Sequence, residues 1–227
     1  MSRNLKVALV LLAAASGATD ALSFLGLGQT FTAVVTGNLV LLGVAVAQGS
    51  LARVLRNVVV VPVYASGLAA ASLILRHLEA AEGEPRREVA WPRAVTWVFV
   101  AEVASELGLA AGWWMARGQP SASGMLPLIV LSALSMGLQS GAVQRLGVSG
   151  LSTTYFTGTL TYIVTRLVAG DRRPVLGVQG ISIAAMVSGA LLAAVLVGRV
   201  PLATGFLPLA LVGTAAGIGA RPARPRA

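Results

Sequence analysis

Eight apolar runs occupy most of this chain, at roughly residues 7–25, 31–48, 57–75, 94–116, 125–144, 151–169, 174–198 and 200–220. A helix needs about 20 apolar residues to cross the hydrocarbon core of a bilayer, and most of the runs meet that length. A chain so built must satisfy its backbone polar groups internally and present apolar side chains outward, so the sequence reads as an all-α polytopic membrane bundle. Composition agrees: 56% of the 227 residues are hydrophobic and only 11% charged, against about 25% charged in a typical soluble domain. The apolar mass is largely Ala, Val, Leu and Gly, small residues that suit close helix approach. Codon bias in a GC-rich genome is a competing source of the Ala excess, since Lys6 is the single lysine among 17 basic residues.

The second and sixth runs are shorter and more polar than the rest. They contain Thr36-Gly37-Asn38 and Thr157-Gly158-Thr159. Leu25-Gly26 returns as Leu146-Gly147 and Thr36-Gly37 as Thr157-Gly158, both 121 residues on, and Ser66-Gly67 returns as Ser188-Gly189 at 122. The sequence therefore divides into two internal repeats, about 1–117 and 122–227, within a single membrane domain. The stretch 76–93, with Glu79, Glu82, Glu84 and Glu88 among four arginines, reads as a polar loop, and 221–227 as a basic tail.

Charge tests the topology. If the second and sixth runs dip in and return, only Arg53, Arg56, Arg117 and Arg199 fall outside, and the other thirteen of the 17 basic residues fall inside. Eight full spans would instead leave six outside, so the positive-inside rule favours six spans plus two broken or re-entrant elements, with both termini cytoplasmic and the halves inserted in opposite senses. Inverted repeats with broken helices are a plan used by transporters. A signal peptide over the first run is a weaker reading, because the run continues to Leu25.

Asp20, Glu102 and Glu106 lie within apolar runs, where an ionised carboxylate costs about 2.5–3.5 kcal/mol on insertion scales. Glu102 and Glu106 share one helix face at i,i+4 and read either as a proton- or cation-binding pair or as a structural pair with Arg145 or backbone donors. The glycine of each Thr-Gly-x triplet frees backbone carbonyls to bind an ion, with helix packing and Thr back-bonding as the alternative. Gln139 is an amide that needs a partner in hydrocarbon. The candidate solute- or ion-binding residues are therefore Asp20, Thr36, Gly37, Asn38, Glu102, Glu106, Gln139, Thr157, Gly158 and Thr159. Gly108/Gly112, Gly137/Gly141 and Gly213/Gly217 have the spacing of close helix contacts.

Other classes find no support. The basic residues are scattered singly, with no stripe for nucleic acid. There is no Cys, the one His, His77, falls in the charged stretch, and no metal or cofactor set is visible. No phosphate-binding Gly-rich loop and no nucleophile–base set is present, so the chain is not read as an enzyme.

Ser16-Gly17-Ala18-Thr19-Asp20-Ala21, then Phe31 through Asn38, resembles the opening of the YoaK-like bacterial membrane proteins, a family filed as a domain of unknown function. Met136-Gly137-Leu138-Gln139 and Thr153-Thr154-Tyr155 through Thr161 resemble motifs of its second half. The resemblance runs from about residue 7 to 198. It implies a multi-pass protein of the bacterial inner membrane with about six spans, the family Asp matched by Asp20 and a fourth-segment acid by Glu102 or Glu106. It names no substrate. The expected function is a secondary transporter or channel for a small solute or ion, with proton coupling open. The alternative is a non-transporting scaffold or partner subunit of a membrane complex. Lipid is the expected partner, and homo-oligomer formation stays open.

Overall fold

A computed structural model describes residues 1–82 and 91–221, and among them the chain is helical with no strand. The elements are α1 Arg3–Gly26, α2 Val35–Ala47, α3 Leu51–Glu82, α4 Arg93–Met115, α5 Met125–Leu146, α6 Phe156–Val168, α7 Arg173–Leu176, α8 Val178–Arg199, α9 Pro201–Thr204 and α10 Phe206–Gly219. Six helices, α1, α3, α4, α5, α8 and the α9–α10 pair, are long and apolar enough to cross a membrane. The two 13-residue helices α2 and α6 reach only about 20 Å at 1.5 Å per residue, short of the roughly 30 Å core.

One expectation changes at the polar stretch. Helix α3 continues through Arg76, His77 and Glu79 to Glu82, so the loop expected from residue 76 begins as helix. The physical reason is local: Glu79 turns back to pair with Arg145 of α5, Nε to Oε1 2.5 Å, which gives the polar end of α3 a partner. Residues 83–90, and 222–227 of the expected basic tail, lie outside the described residues.

Helices α1 and α5 form the centre. Their most apolar windows are 67% and 72% buried, against 22% for α3 and 17% for α8. The most extensive packing joins α1 to α8 and α3 to α5, followed by α1 with α10 and α4 with α5. Both leading contacts are set by paired glycines. A methyl added at Gly17 would overlap the carbonyl oxygen of Met186, and one at Gly189 that of Ala14. In the other crossing, Gly67 meets Leu134 O and Gly137 meets Tyr64 O in the same way. No other residue lets two backbones come this close, which matters where lipid supplies no hydrophobic drive between helices. Of the spaced glycine pairs, Gly108/Gly112 receive Leu131 and Leu128, and Gly137/Gly141 receive α3, whereas Gly213 and Gly217 face open space.

Two apolar clusters fill the bundle. One packs Leu5, Leu9 and Leu12 against Val95, Phe99 and Leu138. The other packs Leu22 and Leu27 against Trp113 and Ile129. Trp113 is fully buried, and its indole N–H donates to Pro201 O at 2.7 Å, tying α4 to the α8–α9 junction.

Replacing Gly67 with Leu forces the α3–α5 crossing apart. Overpacking of this kind costs about 1–3 kcal/mol, so thermal unfolding of the purified variant in detergent should fall by several degrees. Gly213→Leu, facing open space, should leave the midpoint unchanged. Equal effects from the two would discard the close-crossing account.

Candidate functional site

The break between α1 and α2 is held by one carboxylate. Asp20 Oδ1 accepts the backbone N–H groups of Thr32 at 2.7 Å and Ala33 at 2.8 Å, and Oδ2 accepts that of Val34 at 3.1 Å. These are the amides of the three residues just before α2, at a helix N-terminus whose dipole favours an anion. Asn38, one turn in, brackets Phe31 from the other side: its Oδ1 accepts Phe31 N–H at 2.9 Å and its Nδ2 donates to Phe31 O at 2.6 Å.

The break before α6 is closed by matching bonds. Thr159 Oγ1 accepts Ser152 N–H at 3.0 Å, and Ser152 Oγ accepts the amides of Thr154 and Tyr155 at 3.3 and 3.1 Å. Residues 152 and 159 stand 121 positions after 31 and 38. Hydroxyls here do what Asp20 and Asn38 do in the first break.

Both breaks then converge on α5. Ser132 Oγ lies 2.8 Å from Thr32 Oγ1 and 3.4 Å from Ser23 Oγ. Gln139 Nε2 donates to Thr153 Oγ1 at 2.9 Å and to Leu12 O at 3.2 Å. Seven residues of helix, about 10 Å, separate Ser132 from Gln139. Between them Ser135 donates to Glu106 Oε1 at 2.6 Å. Beyond Gln139, Ser140 Oγ bonds Thr154 Oγ1 at 2.9 Å and accepts from Tyr64 at 2.6 Å. Ser132, Ser135 and Gln139 thus share one polar face of α5, while Ser140 turns toward Tyr64 of α3. Arg56 beside Gly28, with Nη1 3.9 Å from Met125 Sδ, lies near one end of the helix, and the Arg145–Glu79 pair near the other.

Glu102 and Glu106 are fully buried. Neither oxygen of Glu102, nor Oε2 of Glu106, nor Oε1 of Gln139 has a protein hydrogen-bond partner. Arg145, weighed above as the acids' counter-charge, is engaged by Glu79 instead.

Among the residues singled out from sequence, Asn38, Thr159, Asp20, Gln139, Glu102 and Glu106 are buried. Thr36, Thr157 and Gly158 are exposed and Gly37 is half-buried. Gly37 meets only Phe31 and Val34, and Gly158 only Tyr155, so the glycines of the two triplets do not touch one another. Sequence reasoning missed Ser132, Ser135, Thr32 and Thr153. Their signal was available: Ser132, Ser135 and Gln139 fall at i, i+3, i+7 on one face of an apolar helix, and Thr32 and Thr153 stand 121 residues apart, the spacing of Thr36-Gly37 and Thr157-Gly158.

Asp20→Asn keeps one acceptor but turns an amide N–H₂ toward the donors it replaces. Hydrogen bonds to a charged group contribute about 1.5–3 kcal/mol, so this variant should unfold with roughly that loss in detergent, read by thermal or denaturant melting. An unchanged midpoint would remove Asp20 from its structural role.

A relative named UPF0700 transmembrane protein YoaK, from Bacillus subtilis (strain 168), is 31% identical over 156 residues. That alignment covers 69% of this chain and 64% of the relative, so the match spans less than two thirds of that protein's length. No solved structure matches the chain. A family model described as Protein of unknown function (DUF1275) matches residues 8–218, nearly the whole of the bundle from α1 to α10. This multi-pass membrane protein therefore belongs to the DUF1275 family.

Proposed function

We propose that the chain is a secondary transporter or channel for a small solute or ion, and that its path follows the inner face of α5. The observation that carries this reading is the polar line itself. From Ser132 to Gln139 it runs seven residues, about 10 Å of helix, across the middle of α5. Polar side chains along the interior of an otherwise apolar bundle are costly in lipid and commonly mark a solute or ion pathway. Both broken elements deliver hydroxyls to the line, Thr32 and Thr153, on either side of Glu106.

The same proposal includes two inverted repeats, with α2 and α6 re-entrant from opposite faces. It is supported by the Phe31–Asn38 and Ser152–Thr159 bonds at one offset, and by the reciprocal glycine crossings of α1 with α8 and α5 with α3. Substrate contacts are assigned to Glu102, Glu106, Gln139 and the hydroxyls beside them. Asn38, Thr159 and Asp20 hold the breaks open, and Thr36, Gly37, Thr157 and Gly158 are placed outside the path.

Topology is tested with single cysteines, since the chain has none of its own. In the six-span arrangement Ser121→Cys, in the α4–α5 connection, is labelled from outside intact cells by an impermeant thiol reagent, and Asp171→Cys, after α6, is not. The reverse pattern at Ser121 would replace this arrangement with eight full spans.

Flux is tested by uptake into liposomes holding the purified protein, screened across solute classes with and without a pH gradient. Ser135→Ala removes the one donor to Glu106, a loss of about 1.5–3 kcal/mol and so roughly ten- to a hundredfold in rate. Flux in the wild-type protein that Ser135→Ala leaves intact would take the path away from α5.

A further inference from the structure

We propose that Glu102 holds a proton inside the bundle and shares it in a hydrogen bond to Gln139 Oε1, so that the α4–α5 contact is a buried proton-binding site. The argument starts from register. Helices α4 and α5 run antiparallel: Gly112 meets Leu128, Gly108 meets Leu131, and Ser135 bonds Glu106. One turn back from Glu106 on α4 is Glu102, and one turn on from Ser135 on α5 is Gln139. The two therefore stand level. Gln139 spends its amide N–H₂ on Leu12 O and Thr153, which leaves its oxygen on the other branch of the amide, free and fully buried.

The set is composed of acceptors alone. Glu102 Oε1 and Oε2, Glu106 Oε2 and Gln139 Oε1 are four buried oxygens with no donor from the protein. A buried acceptor without a donor costs about 1–3 kcal/mol, and more when charged. Among the described residues no basic side chain bonds them. On α5 the one charged residue, Arg145, is bonded to Glu79. Helices α9 and α10 carry no ionisable group. On α3, Tyr64 donates to Ser140, Arg56 lies beside Gly28, and Arg53 bonds Gln48; Arg76, His77 and Glu79 belong to its polar end. On α1, Asp20 is engaged by three amides.

One proton on Glu102 turns that carboxyl into a donor. It satisfies its own oxygen and the Gln139 oxygen together, and removes one of two like charges spaced a helical turn apart. Glu106 already has one oxygen satisfied by Ser135, whereas both oxygens of Glu102 lack a donor, so Glu102 is the member that takes the proton. The step is a reversible transfer: H⁺ from water to Glu102 on binding and back to water on release, with no other bond made or broken. This deepens the transport reading by naming a coupling ion, and rests on it for coupling alone.

The test is infrared difference spectroscopy of the purified protein in lipid, following the C=O stretch of protonated carboxyl groups and its shift in deuterated water. At neutral pH the wild-type protein should show this band, Glu102→Gln should lose it, and Glu106→Gln should keep it. Gln is isosteric with Glu, and matched thermal unfolding curves confirm that the variants are folded. A band that persists in Glu102→Gln, or none in the wild type, overturns the proposal. Sodium or potassium chloride that abolishes the wild-type band would overturn it too, by naming a metal cation as occupant. A lost band in a protein that moves no solute in liposomes keeps the proton site and removes transport. Solute flux in a protein without the band does the reverse.

Discussion

The carboxylate of Asp20 is the contact on which the first half of the bundle depends. A backbone that leaves the helix inside an apolar protein exposes amides that water cannot reach. Asp20 takes three of them at once, at Thr32, Ala33 and Val34. That lets the chain turn at residues 27–34, start α2, and place Thr32 against Ser132 of α5. Without a charge at this point the amides would have no other partner, and the break would close into a longer helix or open to lipid. The second break meets the same demand with neutral groups, Ser152 and Thr159. The two solutions differ in chemistry and agree in position, since α2 and α6 begin and end 121 residues apart.

Hydropathy made the spans legible because length and apolarity are one-dimensional properties. The six long helices follow the six long runs, and the shortness of α2 and α6 was visible in the polarity of 31–38 and 152–159. The direction of side chains was less legible. The triplets Thr36-Gly37-Asn38 and Thr157-Gly158-Thr159 read as units, yet a helix turns about 100° per residue. Positions two apart therefore point to nearly opposite sides, so Asn38 and Thr159 face inward while Thr36 and Thr157 face out. Asp20 shows a second limit. An acid in an apolar run signals that something polar surrounds it, but the sequence does not say whether that is a solute path or the chain's own backbone twelve residues on.

Arg145 illustrates how partners escape a linear reading. Its place near the end of α5 made it a plausible counter-charge for the acids of α4. The structure pairs it with Glu79, because α3 remains helical past the membrane-length apolar run and carries Glu79 to the end of α5. The single basic group of α5 is thereby consumed at the bundle's edge, and among the described residues Glu106 keeps the Ser135 hydroxyl while Glu102 has no hydrogen-bond partner.

The arrangement that results is paired in scaffold and unpaired in chemistry. Glycine crossings, short helices and break-closing bonds occur in matched pairs, and each crossing joins one half of the chain to the other. The acids do not. Helix α4 carries Glu102 and Glu106, whereas α10, which packs on α1 as α4 packs on α5, has no ionisable side chain. The central helices differ in the same way: α5 presents Ser132, Ser135 and Gln139 to its neighbours, whereas Ser16 and Thr19 of α1, though buried, face no acid on α10. The polar groups along α5 thus have no counterpart facing acids along α1. The matched contacts fix where the two breaks can reach, the seven-residue spacing of Ser132 and Gln139 lets both reach one helix, and only the α4 side of that helix is supplied with charge. The polar face of such a bundle is supplied by α4 and α5, while the glycine crossings and the break-closing bonds determine whether that face exists at all.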